Sequence, residues 1–233
     1  MKIERLEWDS SFLKKNVGKT EVSGELSSLF VEMKEYDLVY LFSEYPLPLA
    51  PDVILNFHTK LVDEKVTYYK ILEANSGKDD SVYSLPPDFA ADEHFIELAI
   101  KSGEFSRFRL DPMYPDDKFR ELYRIWLIQS LNHRIADEVL VFSKDGVIAG
   151  FITIKIKNGI PDIGLLAVDS AFRGKGIAGQ LIHSAEHWAY FTKNKKELQV
   201  VTQGTNIAAC RFYEKLGFSL KQKQYVYHCW KRN

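Results

Sequence analysis

The stretch Ile163–Ile182, IGLLAVDSAFRGKGIAGQLI, decides how the rest of the chain reads. An apolar run of strand length, Ile163 to Val168, ends in a polar turn. Arg173-Gly174-Lys175-Gly176-Ile177-Ala178 follows, and then Ile177, Leu181, Ile182, Ala185 and Trp188 recur at helical spacing. Strand, glycine-rich loop and amphipathic helix in that order suit an anion. A helix N-terminus leaves backbone N–H groups unpaired and carries partial positive charge. Gly174 and Gly176 let the backbone approach a phosphate closely, and Arg173 and Lys175 add charge. The glycine spacing alone also fits a bare tight turn. It is not a P-loop, because no Gly-Lys-Ser/Thr is present. Gly179 completes a G-x-G-x-x-G spacing, but no acidic residue closes a second strand at the dinucleotide position.

Working outward, Glu138–Ser143, Val147–Ile156 and Ile160–Val168 read as three strands, with Asn158-Gly159 as a hairpin turn. After the loop helix come a strand over Leu198–Thr202, a helix over Asn206–Leu216 closed by Gly217, and a final strand from Phe218. Upstream, Ala91–Ile100 reads as a helix and Ser106–Pro115 as irregular. Phe119, Leu122, Tyr123 and Trp126 form a helical face. The first 72 residues alternate: a strand at Val17–Val22, helical spacing through Leu26, Leu29, Phe30 and Met33, and a buried strand at Leu38–Phe42. Val53, Ile54, Phe57 and Leu61 again follow helical spacing, before a β-rich Lys65–Leu72. The composition breaks sharply at Glu73–Asp92, with its NSGKDD turn and Pro86-Pro87 pair. That break predicts an N-terminal α/β domain over residues 1–80 and a C-terminal domain over 90–233. Phe57–Leu72 and Tyr213–Trp230 echo each other faintly; a degenerate duplication and chance both account for it.

The chain has 233 residues, 31 basic and 32 acidic side chains, and 45% hydrophobic residues. So balanced a charge argues against a nucleic-acid partner, which needs a basic excess or stripe. Cys210 and Cys229 cannot build a disulfide framework or a zinc site, and His183 and His187, at metal-pair spacing, lack a third ligand nearby. No metal is expected. The opening MKIERLEWDSSF has no apolar core of a signal segment, and no run approaches the ~18 apolar residues of a membrane span. The expectation is a cytoplasmic protein without a membrane span.

Two further patterns carry a resemblance. Arg173, Gly176 and Ala178 match the Gln/Arg-x-x-Gly-x-Gly/Ala loop of the GNAT superfamily of N-acyltransferases. Asn206, Ala209, Tyr213, Gly217 and Phe218 match its second element, Asn-x-x-Ala-x-x-x-Tyr-x-x-x-Gly-Phe, in the family's order and separation. The resemblance spans about Arg107–Trp230. The strings SRFRLDPMYPDDKFRELYRIWL and LQVVTQGTNIAACRFYEKLGF, and the opening WDSSFLKKNVGKTEV, further resemble members that acetylate the 4-amino group of a dTDP-linked 4-amino-4,6-dideoxyhexose. It implies the GNAT fold, an α/β (α+β) mixed central sheet flanked by helices, with a smaller N-terminal GNAT-like half. It also implies acetyl-CoA as cosubstrate and a small-molecule amine acceptor, a dTDP-amino sugar. A homodimer stays open.

The residue roles follow from that resemblance. Leu166, Ala167 and Val168 would offer backbone groups to the pantetheine arm. Arg173, Gly174, Lys175, Gly176, Ile177, Ala178 and Gly179 would hold the pyrophosphate. Asn206 would touch the cofactor and also cap its helix. Tyr213 would be the general acid that protonates the CoA thiolate; a packed aromatic is the other reading. An acyl-cysteine on Cys210 is a second route beside direct transfer. Ser106, Arg107, Phe108, Arg109 and Tyr114 are acceptor-side candidates, with guanidinium for diphosphate and ring for base or sugar. They read equally as a surface loop pinned by Phe108. No carboxylate is nominated as base, because a sugar amine is more acidic than lysine, whose reference pKa is ~10.4, and ordered water can take its proton. Another small amine, a protein N-terminus, or a non-catalytic acyl-CoA-binding module are the alternative functions.

Overall fold

The computed structural model describes residues 1–74 and 80–232. The N-terminal segment runs β1 (Glu4–Arg5), α1 (Glu7–Leu13), β2 (Val17–Glu21), then a 3-10 turn at Leu26–Leu29 leading into α2 (Phe30–Met33). It continues with β3 (Leu38–Ser43), α3 (Pro51–Asn56), β4 (Phe57–Ile71) and β5 (Val82–Ser84). The remainder is α4 (Glu93–Ser102), α5 (Arg107–Leu110), α6 (Asp116–Leu131), β6 (Glu138–Lys144), β7 (Val147–Lys157) and β8 (Ile160–Val168). Next are α7 (Ile177–His187), extended by a π-helical turn at Trp188–Thr192, then β9 (Glu197–Gln203), α8 (Ile207–Lys215) and β10 (Ser219–Lys231).

The strands form one mixed sheet in the order β1-β2-β3-β10-β4-β9-β8-β7-β6-β5. The β2/β3 and β8/β9 pairs are parallel. One face packs against α4, α5 and α6 through Phe95, Leu98, Leu122, Leu127, Val139 and Phe151. The other packs against α7 and α8 through Ile152, Ile163, Leu181, Ile182, Leu198 and Val200, and against α2 and α3 through Leu29, Met33, Leu41 and Val53. Asp145-Gly146 and Asn158-Gly159 all have positive φ, as tight hairpin turns require. Gly217, with φ +85°, closes α8 as the sequence predicts.

Two expectations are corrected. The helix read through Val53, Ile54, Phe57 and Leu61 stops at Asn56, and Phe57 and Leu61 belong to β4. Pairing with β10 from Phe57↔Lys231 onward decides those residues against their local period. The division into domains 1–80 and 90–233 does not separate two sheets. β4, from the N-terminal segment, lies between β9 and β10 of the C-terminal one, while β10 lies between β3 and β4. The segments that echo each other in sequence are thus direct neighbours. The expected boundary, of which residues 75–79 lie outside the described residues, joins the middle of the sheet to its edge strand β5.

The feature that positions the site is a break in the ladder. β8 meets β9 only at Asp162↔Gln199 and Ile163↔Val200, and beyond these the two strands part. From Ile163 to Leu166 β8 advances three residues while β7 retreats only from Ile154 to Ile152, which is a β-bulge. The Leu165 N–H donates to the Thr153 hydroxyl at 2.8 Å. A Cβ on Gly164 would stand 2.8 Å from that same hydroxyl, so only glycine lets Thr153 close on the bulge. Thr153→Val keeps the shape and removes the acceptor from a side chain only 3% exposed. It is expected to cost about 1–3 kcal/mol, read as a lower urea midpoint at unchanged m-value. An unchanged midpoint would show that the bulge does not depend on the hydroxyl.

Candidate active site

Where β8 leaves β9, its backbone faces an open gap. The Asp169 N–H donates to Ala149 C=O at 2.8 Å, and Gly150 stands opposite Val168. Alternation then ties Ala167 to Phe151 and turns the N–H and C=O groups of Leu166 and Val168 away from β7, toward the gap. Ala167, expected beside them, has its main chain engaged in the ladder.

The glycine loop closes the mouth of this gap. Gly174 and Gly176 have φ +77° and +82°, in the left-handed region that favours glycine. A Cβ at Gly174, Gly176 or Gly179 would meet nothing within 4 Å, so these positions line open space. Gly176 stands at the N-cap of α7 with no side-chain cap, and its C=O accepts the Gln180 N–H at 3.1 Å. The N–H groups of Ile177, Ala178 and Gly179 are therefore left without helical acceptors. The Arg173 Nε donates to Val168 C=O at 3.1 Å and the Lys175 Nζ to Ala171 C=O at 3.1 Å. Among the described residues neither cation is paired with a carboxylate. This cradle of unpaired amides and exposed positive charge fits a pyrophosphate.

The far edge of the gap is built by β9, β4 and α8. The Gly204 N–H donates to Glu64 C=O at 2.6 Å, which fastens the turn after β9 onto β4. Asn206 caps α8, its Oδ1 accepting the Ala209 N–H at 3.1 Å. Tyr213 is 5% exposed. Its ring packs against Tyr68, Phe212 and Phe218 with centroids 5.4–6.2 Å away. Burial raises its phenol well above the ordinary value, so it stays protonated at neutral pH. Cys210, half-buried, points its thiol at Gln203 C=O, 3.6 Å away.

The acceptor-side candidates divide. Ser106 caps α5 through the Arg109 N–H. Phe108 and Tyr114 are buried core residues, their rings 5.1 Å apart. Arg109 is exposed and paired with Asp116. Arg107 remains. Its guanidinium lies 4.1 Å from the Tyr40 ring and 4.4 Å from the Phe108 ring. The Nη1 is 3.3 Å from His228 Nε2. His228 is fully buried, and burial pushes its pKa down to about 4, so the imidazole is neutral. Its Nδ1–H donates to Asp111 Oδ2 at 2.6 Å, and the Trp230 Nε1–H donates to the same oxygen at 2.7 Å. Those donors hold the Asp111 carboxyl below its usual range. The tautomer fixed by Asp111 leaves Nε2 as an acceptor for Arg107. Arg107 is therefore held by two rings and a neutral imidazole, with no ion pair among the described residues.

His228, Asp111, Tyr40, Asp63 and Thr153 were not foreseen from sequence. His228 and Asp111 stand 117 residues apart and carry no local motif. Asp63 lies two residues before the β-rich Lys65–Leu72, where no motif marks it. His187 packs against Phe191, ring centroids 4.7 Å apart. Among the described residues no group of three or more His, Cys, Asp or Glu could hold a metal ion, and no helix is long and apolar enough to cross a membrane. A cavity of about 420 Å³ lined by Lys70, Glu186 and Gly217 lies at the other end of β4, away from the gap.

Comparison with known proteins agrees with this geometry. Residues 99–218, just over half of the chain, match the model of the acetyltransferase (GNAT) family. The chain is 32% identical over 148 residues to the spore coat polysaccharide biosynthesis protein SpsD of Bacillus subtilis (strain 168). That match covers 62% of this chain and 50% of the relative, so the chain spans about half the length of that curated relative. Among solved structures, a conserved protein of unknown function from Staphylococcus epidermidis ATCC 12228 superposes with a TM-score of 0.57 at 15% identity, over 94% of this chain and 84% of that one. A protein from Novosphingobium aromaticivorans DSM 12444 ascribed to the GNAT family superposes with a TM-score of 0.53 at 15% identity, over 84% of this chain and 75% of that one. The split between β8 and β9, the glycine cradle at its mouth and the family match lead to one conclusion: this chain belongs to the acetyltransferase (GNAT) family.

Proposed function

We propose that the chain transfers acetyl from acetyl-CoA to the amino group of a nucleotide-linked amino sugar of the dTDP-4-amino-4,6-dideoxyhexose type. The observation that carries the acceptor class is Arg107. A half-buried guanidinium braced by Tyr40, Phe108 and His228, with no carboxylate partner, is a fixed cation awaiting an anion. A nucleotide-sugar diphosphate supplies that anion, and likeness to a polysaccharide biosynthesis protein supports a sugar acceptor. Arg109, engaged by Asp116, is left out of this reading.

In the proposed reaction the pantetheine arm enters the gap alongside β8, paired with the outward groups of Leu166 and the N–H of Val168. The pyrophosphate sits on the Gly174–Gly179 cradle with Arg173 and Lys175, and Asn206 fixes the start of α8 beside the arm. The amine attacks the thioester carbonyl directly, and Tyr213 gives its proton to the departing sulfur. Thiol release measured over a panel of dTDP-amino sugars tests the reading. Release is expected only when acetyl-CoA and a 4-amino sugar are both present. Turnover with polyamines or peptide N-termini while every dTDP-sugar is inert would transfer the acceptor to another class. Binding of acetyl-CoA without turnover on any amine would leave a non-catalytic module.

A further inference from the structure

Asp63 sits in β4 one residue from Glu64, whose C=O holds the turn after β9. Its neighbour Lys65 pairs with Gln203 at the end of β9, where β8 and β9 have already parted. Asp63 therefore lies two residues past that last pair, beyond the end of β9 and level with the open gap. Strand alternation puts Val66 and Tyr68 in the layer that holds Tyr213, and Asp63 and Lys65 on the opposite face. That is the face of Arg107, whose charge acts on both. Asp63 is 6% exposed, and its Oδ1 has no hydrogen-bond partner. Buried carboxylate oxygens are normally satisfied, and packing alone gives no reason for this one.

The surroundings set its proton affinity. Burial raises the Asp63 carboxyl to about 7, with Arg107 of α5 and Lys65 of β4 pulling it down and Glu64 pushing it up. Tyr123 of α6 feels the same carboxyl. Lys65 is itself held down by burial and Arg107, with Asp162 of β8 and Lys157 of β7 also acting on it. A carboxylate so placed is half-ionised near neutrality, which suits a base working at that pH.

We propose that Asp63 takes the proton released by the acceptor amine, on the face of the sheet opposite Tyr213; this rests on the reaction proposed above. As the C–N bond forms, one N–H proton passes to the Asp63 carboxylate. The C–S bond breaks, and the Tyr213 O–H protonates the sulfur to give CoA thiol. The proton on Asp63 then returns through solvent to the Tyr213 phenolate, which restores both groups. The N-terminal segment would on this account supply the base, because β4 is the strand it places beside β9.

Asp63→Asn is expected to transfer acetyl to dTDP-4-amino-4,6-dideoxygalactose at least ~100-fold more slowly at pH 7, with unchanged affinity for acetyl-CoA. It should also lose the rise in kcat/KM that the wild type shows through pH 7. A wild-type rate and profile in the variant would overturn the assignment. A second measurement needs no sugar, and its titration is read on the wild-type protein. In wild-type protein carrying ¹³C-labelled aspartate, one carboxyl is expected to titrate near pH 7 and to shift its midpoint when acetyl-CoA fills the gap. Asp63→Glu, which carries no label at that position, identifies it by deleting that resonance. If no aspartate titrates near neutrality, or acetyl-CoA leaves it unmoved, Asp63 is not the base. If the carboxyl responds while the sugar is inert, the acceptor reading fails alone.

Discussion

A fragment spanning residues 90–233 is expected to show no cooperative thermal transition and no acetyl-CoA binding, although it holds every residue of both GNAT motifs. The reason lies in the sheet. Without β4, which pairs with β9 along Lys65–Ile71 and with β10 along Phe57–Tyr69, the strands β9 and β10 lose their common neighbour, and two rows of backbone groups are left open. Val66, Tyr68 and Leu72 also leave the layer under α7 and α8. At about 1.5–3 kcal/mol for each fully buried side chain, these three alone approach the ~5–15 kcal/mol that stabilises a typical domain. Circular dichroism melting and calorimetric titration with acetyl-CoA check the outcome. A fragment that melts cooperatively and binds the cofactor would restore the division into two independent domains.

The second large effect is expected from Tyr213→Phe, which should lower kcat by about 10²–10³-fold with little change in melting temperature. A thiolate is expelled in the transition state, and a positioned phenol lessens the charge that builds on sulfur. The phenylalanine keeps the ring contacts with Tyr68 and Phe218 and deletes only the O–H. Because burial raises that phenol well above the ordinary range of a tyrosine, the wild-type rate should show no alkaline loss from Tyr213 through pH 10. Stopped-flow thiol release separates chemistry from product release. A variant within threefold of wild type would return Tyr213 to the role of a packed aromatic.

Legibility in sequence followed the range of the interactions involved. The loop at Arg173–Gly179 and the capped helix from Asn206 were readable because their geometry is set by residues within one or two turns. The gap they flank was not, because it depends on a Leu165 amide finding a Thr153 hydroxyl across a neighbouring strand. Phe57 and Leu61 misled for a related reason. Residues four apart share a face in a strand as well as in a helix, and only the pairing of Phe57 with Lys231 and Leu61 with Tyr227 across the sheet decides between them. On the acceptor side, two nearby arginines looked equivalent. What distinguishes them comes from elsewhere: Asp116 occupies Arg109, whereas Tyr40 and His228, from β3 and β10, brace Arg107 without neutralising it.

The interleaving of β4 and β10 also sets the order in which the molecule can be made. Lys65 and Gln224, which meet in the finished sheet, are separated by 159 positions in the chain. A ribosome releases the whole loop-and-helix core before β10 exists, so β4 must wait with its hydrogen-bonding edge uncovered until β10 has been added. Such long-range closure favours slow folding and exposes the waiting strand to aggregation. Refolding yield should therefore fall steeply with protein concentration, and a nascent chain stalled before residue 219 should be the species that a chaperone holds.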